Sequence, residues 1–293
     1  MELFDLHCDT VGACFDSCQP LKSNTLDIDL TRGAYYAPWR QVFAVWVPDT
    51  VSERQAFPYT IQRLKFAHEE LTGQECVTPL FAVENGKSIG KDIDNIGKLA
   101  SLGVKIMTLT WNGENRLGNG CLSENKEGLT PFGKEAVKAL EKVAVIPDVS
   151  HLNEAGFWDT AAVCKGVFIA SHSCSKTICD HPRNLTDTQF QEICRRGGVV
   201  GVNFCGEHLG ESSFEKIEQH LEWFWQLENG KGLCLGGDLD GTALPFCWRA
   251  LDVYRQLAEF LYKKGWKMAQ IRKIFWENAL NFFTKEKKCD KIL

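Results

Sequence analysis

Short runs of apolar and β-branched residues recur along the whole chain, and each run ends in a polar or glycine-containing step. Such runs predict buried β-strands. Eight runs have this form, and they lie at residues 3–7, 41–47, 77–84, 104–111, 143–151, 166–173, 198–204 and 232–238. Stretches with helical spacing lie between them, and the predicted helices are residues 52–72, 131–142, 153–164, 186–196, 212–228, 250–264 and 268–283.

Buried strands that alternate with helices favour a parallel sheet, because right-handed crossovers return the chain to the same sheet in the same direction. Eight such units predict an α/β fold in which residues 1–293 form one domain, a (β/α)8 TIM-type barrel. The alternative is an open doubly wound sheet, which more often has a glycine-rich phosphate turn after its first strand. Here the first strand runs into His7 and Asp9 instead. Residues 17–40 are the least regular part, and we expect a long loop over the mouth of the barrel.

The composition narrows the choice of partners and compartment. Of the 293 residues 44% are hydrophobic, and 33 basic against 38 acidic residues give a net charge of −5. This balance offers no broad cationic surface for nucleic acid or for an anionic membrane. The chain has no apolar run long enough to span a membrane and no signal-peptide pattern, so we expect a cytoplasmic protein. Its 13 cysteines are odd in number and include no Cys-x-x-Cys pair, which predicts reduced thiols.

Histidines mark the ends of three predicted strands. His7, His151 and His172 each close an apolar run. The other four histidines fall in predicted helices (His68 and His220) or in loops (His181 and His208). The carboxyl ends of barrel strands converge on one face, where the active sites of this fold lie. We therefore expect the three strand-end imidazoles to point toward one another.

Carboxylates accompany these histidines. Asp9 lies two positions after His7, so the two side chains project to the same side of an extended chain. Glu84 and Asp238 close two further apolar strands, where a carboxylate is costly to bury without a cation or hydrogen bonds. A single histidine at a strand end is more often a hydrogen-bonded core residue than a ligand. Six such groups at the ends of five strands instead predict a divalent metal site, with zinc first and manganese or iron behind it.

The order and spacing of these groups resemble the membrane (renal) dipeptidase family, peptidase family M19, within the amidohydrolase superfamily. The segments that carry the resemblance are residues 5–9, 84–86, 109–112, 148–151, 171–173, 183–185 and 236–241. The resemblance implies two zinc ions bridged by Glu84, with His7 and Asp9 on one ion and His151 and His172 on the other. It further implies that a water bridging the two ions hydrolyses the peptide bond of small dipeptides, and it favours a homodimer.

The resemblance also assigns roles around the metals. Asp238 is expected to take the proton from the attacking water and pass it to the leaving amine, while Arg183 is expected to hold the free carboxylate of the dipeptide. Without the resemblance, Arg183 reads as an exposed loop arginine. The family's animal enzymes have a histidine after the fourth strand that is thought to hold the substrate carbonyl oxygen, where this chain has Trp111. Oxyanion stabilisation would then be weaker, or it would pass to the metals or to Asn112, and Trp111 would pack at the rim or contact substrate.

Three other functions stay open at this stage. The string from Asp238 to Thr242, Asp-Leu-Asp-Gly-Thr, resembles the start of a haloacid-dehalogenase-type phosphatase, although few residues follow it for the rest of that fold. A deaminase, lactonase or other amidohydrolase-type metal hydrolase keeps the barrel and the metals but cleaves another bond. A catalytically weak metal-binding barrel that acts as a ligand-binding protein is the third, and Trp111 is its main support.

Overall fold

The computed structural model describes residues 1–245, 247–248 and 250–289, and within it seven parallel strands form one sheet. The strands are β1 (Leu3–Cys8), β2 (Trp39–Trp46), β3 (Thr78–Glu84), β4 (Val104–Thr108), β5 (Ile146–Asp148), β6 (Val200–Val202) and β7 (Leu233–Leu235). Their order in the sheet is β5-β4-β3-β2-β1-β7-β6. Strands β1 to β5 pair with one another in chain order, and β7 and then β6 lie on the other side of β1. The sheet is α/β in class and compatible with a TIM-type barrel.

The predicted strand at residues 166–173 does not form as a regular strand. Only two residues of this segment pair as in a parallel sheet, Ile169 with Asp148 on one side and Ala170 with Val200 on the other. The ladder stops at Ser171 because the Ser171 backbone N–H donates to the Asp148 side chain, at 3.0 Å, instead of to a strand carbonyl. The segment nevertheless lies between β5 and β6 and links the two ends of the sheet.

Several strands end earlier than predicted, and the continuations of two of them carry His151 and Asp238. β5 stops at Asp148 and β7 at Leu235, each three residues before the predicted end. His151 and Asp238 have φ angles of 67° and 61°, in the left-handed region that side chains other than glycine seldom adopt. A chain cannot continue as a strand through such residues. Backbone strain of this kind clusters at functional sites.

The helices are α1 (Thr10–Ser17), α2 (Leu30–Gly33), α3 (Glu53–Leu71), α4 (Asn95–Ser101), α5 (Pro131–Lys142), α6 (Glu154–Val163), α7 (Asp187–Arg195), α8 (Gly206–Leu209), α9 (Phe214–Glu228), α10 (Val253–Lys263), α11 (Met268–Arg272) and α12 (Asn278–Cys289). Short 3-10 turns lie at Gly86–Ile89 and Ala250–Asp252. A π-helical turn, Lys273–Glu277, joins α11 to α12, so the helix predicted at 268–283 is three segments. Local capping explains several starts, as where the Thr186 hydroxyl and the Gln189 side chain form a capping box for α7.

Two apolar clusters hold the fold together. The larger one packs the helices on the sheet. The smaller one, called here the inner apolar cluster, joins strand residues to the C-terminal segments, and its members include Phe4, Leu6, Val42, Trp276, Phe282 and Phe283. The Phe4 ring stacks on that of Phe283, with centroids 5.2 Å apart. These side chains are buried against one another and away from the polar groups described below.

A register shift in β1 separates its apolar and polar ends. The pairing of β1 with β2 slips between Asp5 and Cys8. Phe4 and Leu6 belong to the inner apolar cluster, whereas Cys8 belongs to the larger cluster that packs the helices on the sheet. Strict alternation from Phe4 and Leu6 would have turned His7 outward. The irregularity re-aims the end of the strand and brings His7 to the inner side, as bulges commonly do near active sites.

Residues 17–40 are largely irregular, as predicted, apart from the last residue of α1, the short helix α2 and the first two residues of β2. The Asp240 carboxylate anchors this loop because it accepts hydrogen bonds from the backbone N–H groups of Asp27 (2.6 Å) and Ile28 (3.2 Å). The twelve cysteines whose side chains the structure describes are free thiols. Among the described helices, none combines the length and the apolar character needed to cross a bilayer.

Candidate metal centre

The five predicted ligands meet around the carboxylate of Glu84. One of its oxygens, Oε1, lies 2.8 Å from His151 Nε2 and 3.4 Å from His172 Nε2. The other, Oε2, lies 3.6 Å from His7 Nε2, which is itself 3.8 Å from Asp9 Oδ2. Three overlapping groups of possible ligand atoms result. Two of them share Glu84, one with His151 and His172 and the other with His7 and Asp9, and the third joins His7, His172 and Asp238. A carboxylate shared by two ligand groups is able to bridge two cations.

Hydrogen bonds fix the proton positions on two of the histidines. Ser171 Oγ donates to Asp148 Oδ2 at 2.6 Å, so it can only accept at its 2.7 Å contact with His172 Nδ1. The His172 proton is therefore on Nδ1. The Nδ1 of His151 lies 2.7 Å from the side-chain oxygen of Asn112, which places that proton on Nδ1 as well. Both Nε2 atoms are thus left as free lone pairs, the state in which imidazole binds a metal.

The two Nε2 atoms of His151 and His172 lie 2.9 Å apart. With both protons on Nδ1, two lone pairs face each other at this distance, and a shared cation would relieve the repulsion. Burial lowers the pKa of both histidines well below the usual value, and the Arg183 charge adds to the effect at His151. The neutral, metal-binding form of each imidazole is therefore favoured.

The acidic groups give a second argument for a cation. Burial raises the pKa of Glu84, and repulsion from Asp9 raises it further. Burial also raises the pKa of Asp238 well above its usual value, against the attraction of His7. At His7 burial opposes the charged form, yet Glu84 and Asp9 raise the pKa well above normal. Three carboxylates gathered in a buried site are costly unless positive charge balances them.

The fit to a metal is also visible in atoms without partners. His7 Nε2 and Asp9 Oδ1 are buried and make no hydrogen bond within the part of the chain that the structure describes. Gly241 leaves space beside them, because a Cβ there would collide with the carboxylates of Asp9 and Asp238. Histidine nitrogens and carboxylate oxygens are the donors that zinc and similar divalent ions take in hydrolases. The residues present therefore fit a divalent metal centre.

Asp238 lies at the edge of this centre. Its Oδ1 is 3.7 Å from His7 Nε2, and its backbone N–H donates to the His7 carbonyl at 3.2 Å. The side chain is 14% exposed, more than the buried histidines, and it lines an adjoining cavity of about 340 Å³. This volume is within the range of small-molecule sites. The phosphatase alternative is wrong, because Asp238 follows the last strand of the sheet, β7, instead of opening a fold.

Trp111 and Asn112 also line this cavity. The Trp111 ring packs against that of Trp46, with centroids 5.1 Å apart, and lies 6.1 Å from the ring of His151. Trp111 therefore packs at the rim, and its indole N–H makes no hydrogen bond to any residue that the structure describes. The side-chain oxygen of Asn112 is committed to His151. The geometry thus gives Asn112 an orienting role toward a ligand histidine, while its contact with substrate stays a prediction.

Arg183 is buried, at 4% exposure, so its interpretation as an exposed loop arginine is wrong. One terminal nitrogen donates to Ser173 Oγ at 2.9 Å and the other to the His172 carbonyl at 2.8 Å. Arg183 is not among the residues that line the cavity beside the metal centre. Burial lowers the pKa of His151, and the charge of Arg183 lowers it further. Its expected role as carboxylate clamp stays a prediction.

Three residues that the sequence reasoning did not single out complete the surroundings. Asp148 accepts four hydrogen bonds and supports His172 through Ser171. Asn203 follows β6 and donates to the His172 carbonyl at 3.2 Å. His208, from α8, lines the cavity. Asp148 and Asn203 are polar residues at the ends of apolar runs, and this pattern could have identified them as candidate site residues. Nothing in the sequence pattern indicated that His208 would lie at the cavity.

Comparison with known proteins bears on this geometry. A family model described as membrane dipeptidase (peptidase family M19) matches residues 69–291, which include Glu84, His151, His172 and Asp238 but not His7 or Asp9. The chain is 32% identical over 191 residues to an uncharacterized protein in the pqqA 5′ region of Klebsiella pneumoniae, covering 61% of this chain and 70% of that protein.

Two solved structures share the fold. The dipeptidase AC, a metallopeptidase of family M19, superposes with a TM-score of 0.89 at 23% identity and covers 98% of both chains. A metallopeptidase from Rhodobacter sphaeroides, liganded with a phosphinate mimic of the dipeptide L-Ala-D-Ala, gives a TM-score of 0.86 at 22% identity, covering 98% of this chain and 99% of that one. At these identities the likeness establishes the fold and leaves the chemistry to the site.

Proposed function

The chain belongs to the membrane dipeptidase family, peptidase family M19, and on this premise we propose that it is a metal-dependent dipeptidase. One observation carries the proposal: the Glu84 carboxylate lies between two sets of ligand atoms, with Oε1 toward His151 and His172 and Oε2 toward His7. Such a site can hold two ions. The expected pair is zinc, with manganese or iron as substitutes, held by His7 and Asp9 on one side and by the other two histidines on the far side of Glu84.

Two divalent ions, when bound, would lower the pKa of a water and polarise the scissile carbonyl of the substrate. The protein's own groups do the rest. Asn112 and Ser171 hold His151 and His172 in the tautomer that offers Nε2 to the centre. Asp238, on the wall of the cavity, takes the proton from the attacking water and passes it to the leaving amine. Arg183 supplies positive charge for the free carboxylate of a dipeptide.

The architecture proposed with this function is a closed (β/α)8 barrel in a single domain of residues 1–293. The segment around Ile169 and Ala170 takes the place of the missing strand, a reading supported by its bridges to β5 on one side and β6 on the other. The metal centre would then lie at the C-terminal face of the strands, where Glu84 ends β3 and His7 lies near the end of β1. A cytoplasmic location and a homodimer stay predictions.

The test is a reconstitution assay. Protein freed of metal by a chelator is compared with protein given zinc, manganese or iron, using L-Ala-D-Ala and L-Ala-L-Ala as substrates. We expect no turnover without metal and recovery that saturates at two equivalents per chain. Equal hydrolysis by the metal-free protein would contradict the proposal. Ammonia release or lactone opening without dipeptide cleavage would favour the deaminase or lactonase alternative, and metal binding with no hydrolysis would favour a ligand-binding barrel.

A further inference from the structure

His208 is a second histidine on the cavity wall that the metal centre does not use. It belongs to α8, which follows β6, and it lines the cavity together with Asp238 and His151. Its ring is half-buried, and its Nδ1 lies 3.1 Å from the side-chain nitrogen of Asn203. The position of the ring proton determines which nitrogen of His208 is able to donate a hydrogen bond, and the contact with Asn203 determines that position.

The orientation of the Asn203 amide is fixed by unambiguous partners. Its oxygen accepts from the backbone N–H of Cys205 at 3.2 Å, and its nitrogen donates to the His172 carbonyl at 3.2 Å. The Asn203 nitrogen is therefore the atom that faces His208, and it donates its other proton to Nδ1. His208 Nδ1 is an acceptor, so the ring proton is on Nε2.

The Nε2–H of His208 makes no hydrogen bond to any group in residues 1–245, 247–248 and 250–289. It is the donor that this ring offers to a molecule in the cavity. Burial lowers the pKa of His208 to about 2, and the charge of Arg183 contributes, so the ring stays neutral at ordinary pH. The ring is thereby kept neutral, and the hydrogen bond from Asn203 keeps its proton on Nε2.

The charge of Arg183 acts on His208, whereas the charged side chains that line the cavity itself are acidic. The charged residues that line the cavity among those described are all carboxylates: Asp9, Asp16, Glu84, Glu207, Asp238 and Asp240. The nearby positive charge is that of Arg183, which lies behind the wall with both terminal nitrogens already donating. The Asn184 side chain, next to Arg183, donates to the His208 carbonyl at 2.8 Å and so ties α8 to the Arg183 loop. An anion beside His208 would therefore meet a donor with positive charge behind it.

We propose that His208 donates its Nε2–H to the free carboxylate of a bound dipeptide, while Arg183 acts on the same carboxylate through its charge from behind. This rests on the proposed dipeptidase function. The free carboxylate is a better partner for His208 than the scissile carbonyl oxygen is. His208 follows β6, which pairs with β7, and Asp238 follows β7. Asp238 is the residue proposed to protonate the leaving amine. That amine belongs to the residue that carries the free carboxylate. His208 is thus a substrate-binding residue at the carboxyl end of the substrate.

The test uses His208→Phe, which keeps a ring but removes the donor, and His208→Gln, which keeps a donor. His68→Phe is the matched control, because His68 also loses one hydrogen bond, to the Leu102 carbonyl, but lies in α3 away from the cavity. With L-Ala-D-Ala, we expect His208→Phe to raise KM roughly 10- to 100-fold with kcat changed only a few-fold, as for one hydrogen bond to a charged group. His208→Gln should recover most of this loss.

Inhibition separates the carboxylate from the rest of the substrate. A phosphinate dipeptide mimic with a free carboxylate should lose about the same factor in Ki on His208→Phe, whereas its C-terminal amide should bind wild type and variant alike. An unchanged ratio of the two Ki values in a variant that folds would overturn the inference. ¹⁵N NMR of the wild-type imidazoles gives an independent check that needs no variant: we expect His208 protonated at Nε2, and protonation at Nδ1 would overturn it.

The outcomes distinguish this inference from the proposed function. If the wild-type protein hydrolyses dipeptides and His208→Phe keeps the KM and the Ki ratio, only the role of His208 is wrong. If the wild-type protein with metal hydrolyses no dipeptide, both fail together.

Discussion

The two ends of β1 show two different uses of burial. Phe4 and Leu6 lie in the inner apolar cluster, where aromatic and aliphatic side chains pack on one another. A few residues on, His7 and Asp9 are placed among other ionisable groups, and each has a buried polar atom without a partner among the described residues. The first arrangement lowers the free energy of the folded chain by itself. The second raises it unless a cation is present. One strand therefore carries both a stabilising and a functional region.

Backbone geometry follows the same division. Around the metal centre Asn85, His151, Asp238 and Asp240 all have positive φ angles. None of the described members of the inner apolar cluster does. Four of the eight non-glycine residues with positive φ in the described part of the chain thus lie around the candidate metal centre, while the apolar cluster uses ordinary strand and helix conformations. Changes in the two regions should consequently have opposite signatures, one on activity and one on stability.

The largest expected effect is that of Glu84→Gln. Loss of the proposed bridging carboxylate should lower the bound metal from the proposed two ions to one or none and reduce turnover about a thousandfold or more, since metal stabilisation of the transition state is worth several kcal/mol. Metal analysis and dipeptide assays measure both. The metal-free variant should be no less stable than the metal-free wild type, because one of three repelling carboxylates is gone. Glu53→Gln, at a surface pair with Arg116, is the control and should change neither.

Phe4→Ala should give the opposite signature. Removal of a fully buried ring that stacks on Phe283 should lower the free energy of unfolding by about 3–5 kcal/mol. Denaturant unfolding measures this loss. The fraction that stays folded should keep its metals and its kcat/KM within a few-fold. Tyr262→Ala, at a side chain that is 61% exposed, should change stability by only about 0.5 kcal/mol. A large loss of metal in folded Phe4→Ala would break the separation of the two regions.

Removal of the metal should change the effect of the metal-centre residues on the folded chain from stabilising to destabilising. Ions at a concentration about a thousand times their dissociation constant stabilise the fold by about 4 kcal/mol. For a chain of this size, removing them with a chelator should therefore lower the Tm by roughly 10 °C. Calorimetry with and without chelator measures the shift. Glu84→Gln should abolish most of it, whereas Phe4→Ala should lower both Tm values and leave the shift intact. A wild-type Tm that does not respond to chelator would contradict the assignment.

The smallest of these effects is expected from Asn112→Ala. The substitution removes the acceptor that holds the His151 proton on Nδ1, without touching a ligand directly. Loss of such an orienting partner typically costs ten- to a hundredfold in metal affinity or activity. Titration with a competing chelator measures the affinity, and exposed Asn125→Ala serves as control. Unchanged affinity would mean that the tautomer is set elsewhere.

The sequence was informative where chemistry and strand ends coincide. The strand-end positions of His7, Glu84 and Asp238 predicted their convergence because parallel strands end on one side of the sheet. The spacing of His7 and Asp9 predicted that both side chains project to the same side of the chain, but the register shift that brings His7 to the inner side depends on how β1 pairs with β2. The segment at residues 166–173 was predicted as a strand because its apolar pattern carries no sign that Asp148 would capture the backbone of Ser171.

Burial across loops was harder to predict. Arg183 follows a His-Pro step typical of a surface loop, and only the fold reveals that its guanidinium is buried against Ser173. His208 was placed in a loop without a role, since its relation to Asn203 depends on the turn into the four-residue helix α8. Pairings of this kind join side chains through tertiary geometry, which local hydrophobic patterns do not encode.

The most direct test of the metal centre is anomalous diffraction from crystals of the protein loaded with zinc. We expect two anomalous peaks, one on each side of the Glu84 carboxylate, each about 2.0–2.2 Å from histidine Nε2 atoms of its own group. A protein that cleaves dipeptides while its crystals show zinc elsewhere, or no zinc between Glu84 and these histidines, would contradict the proposed metal centre.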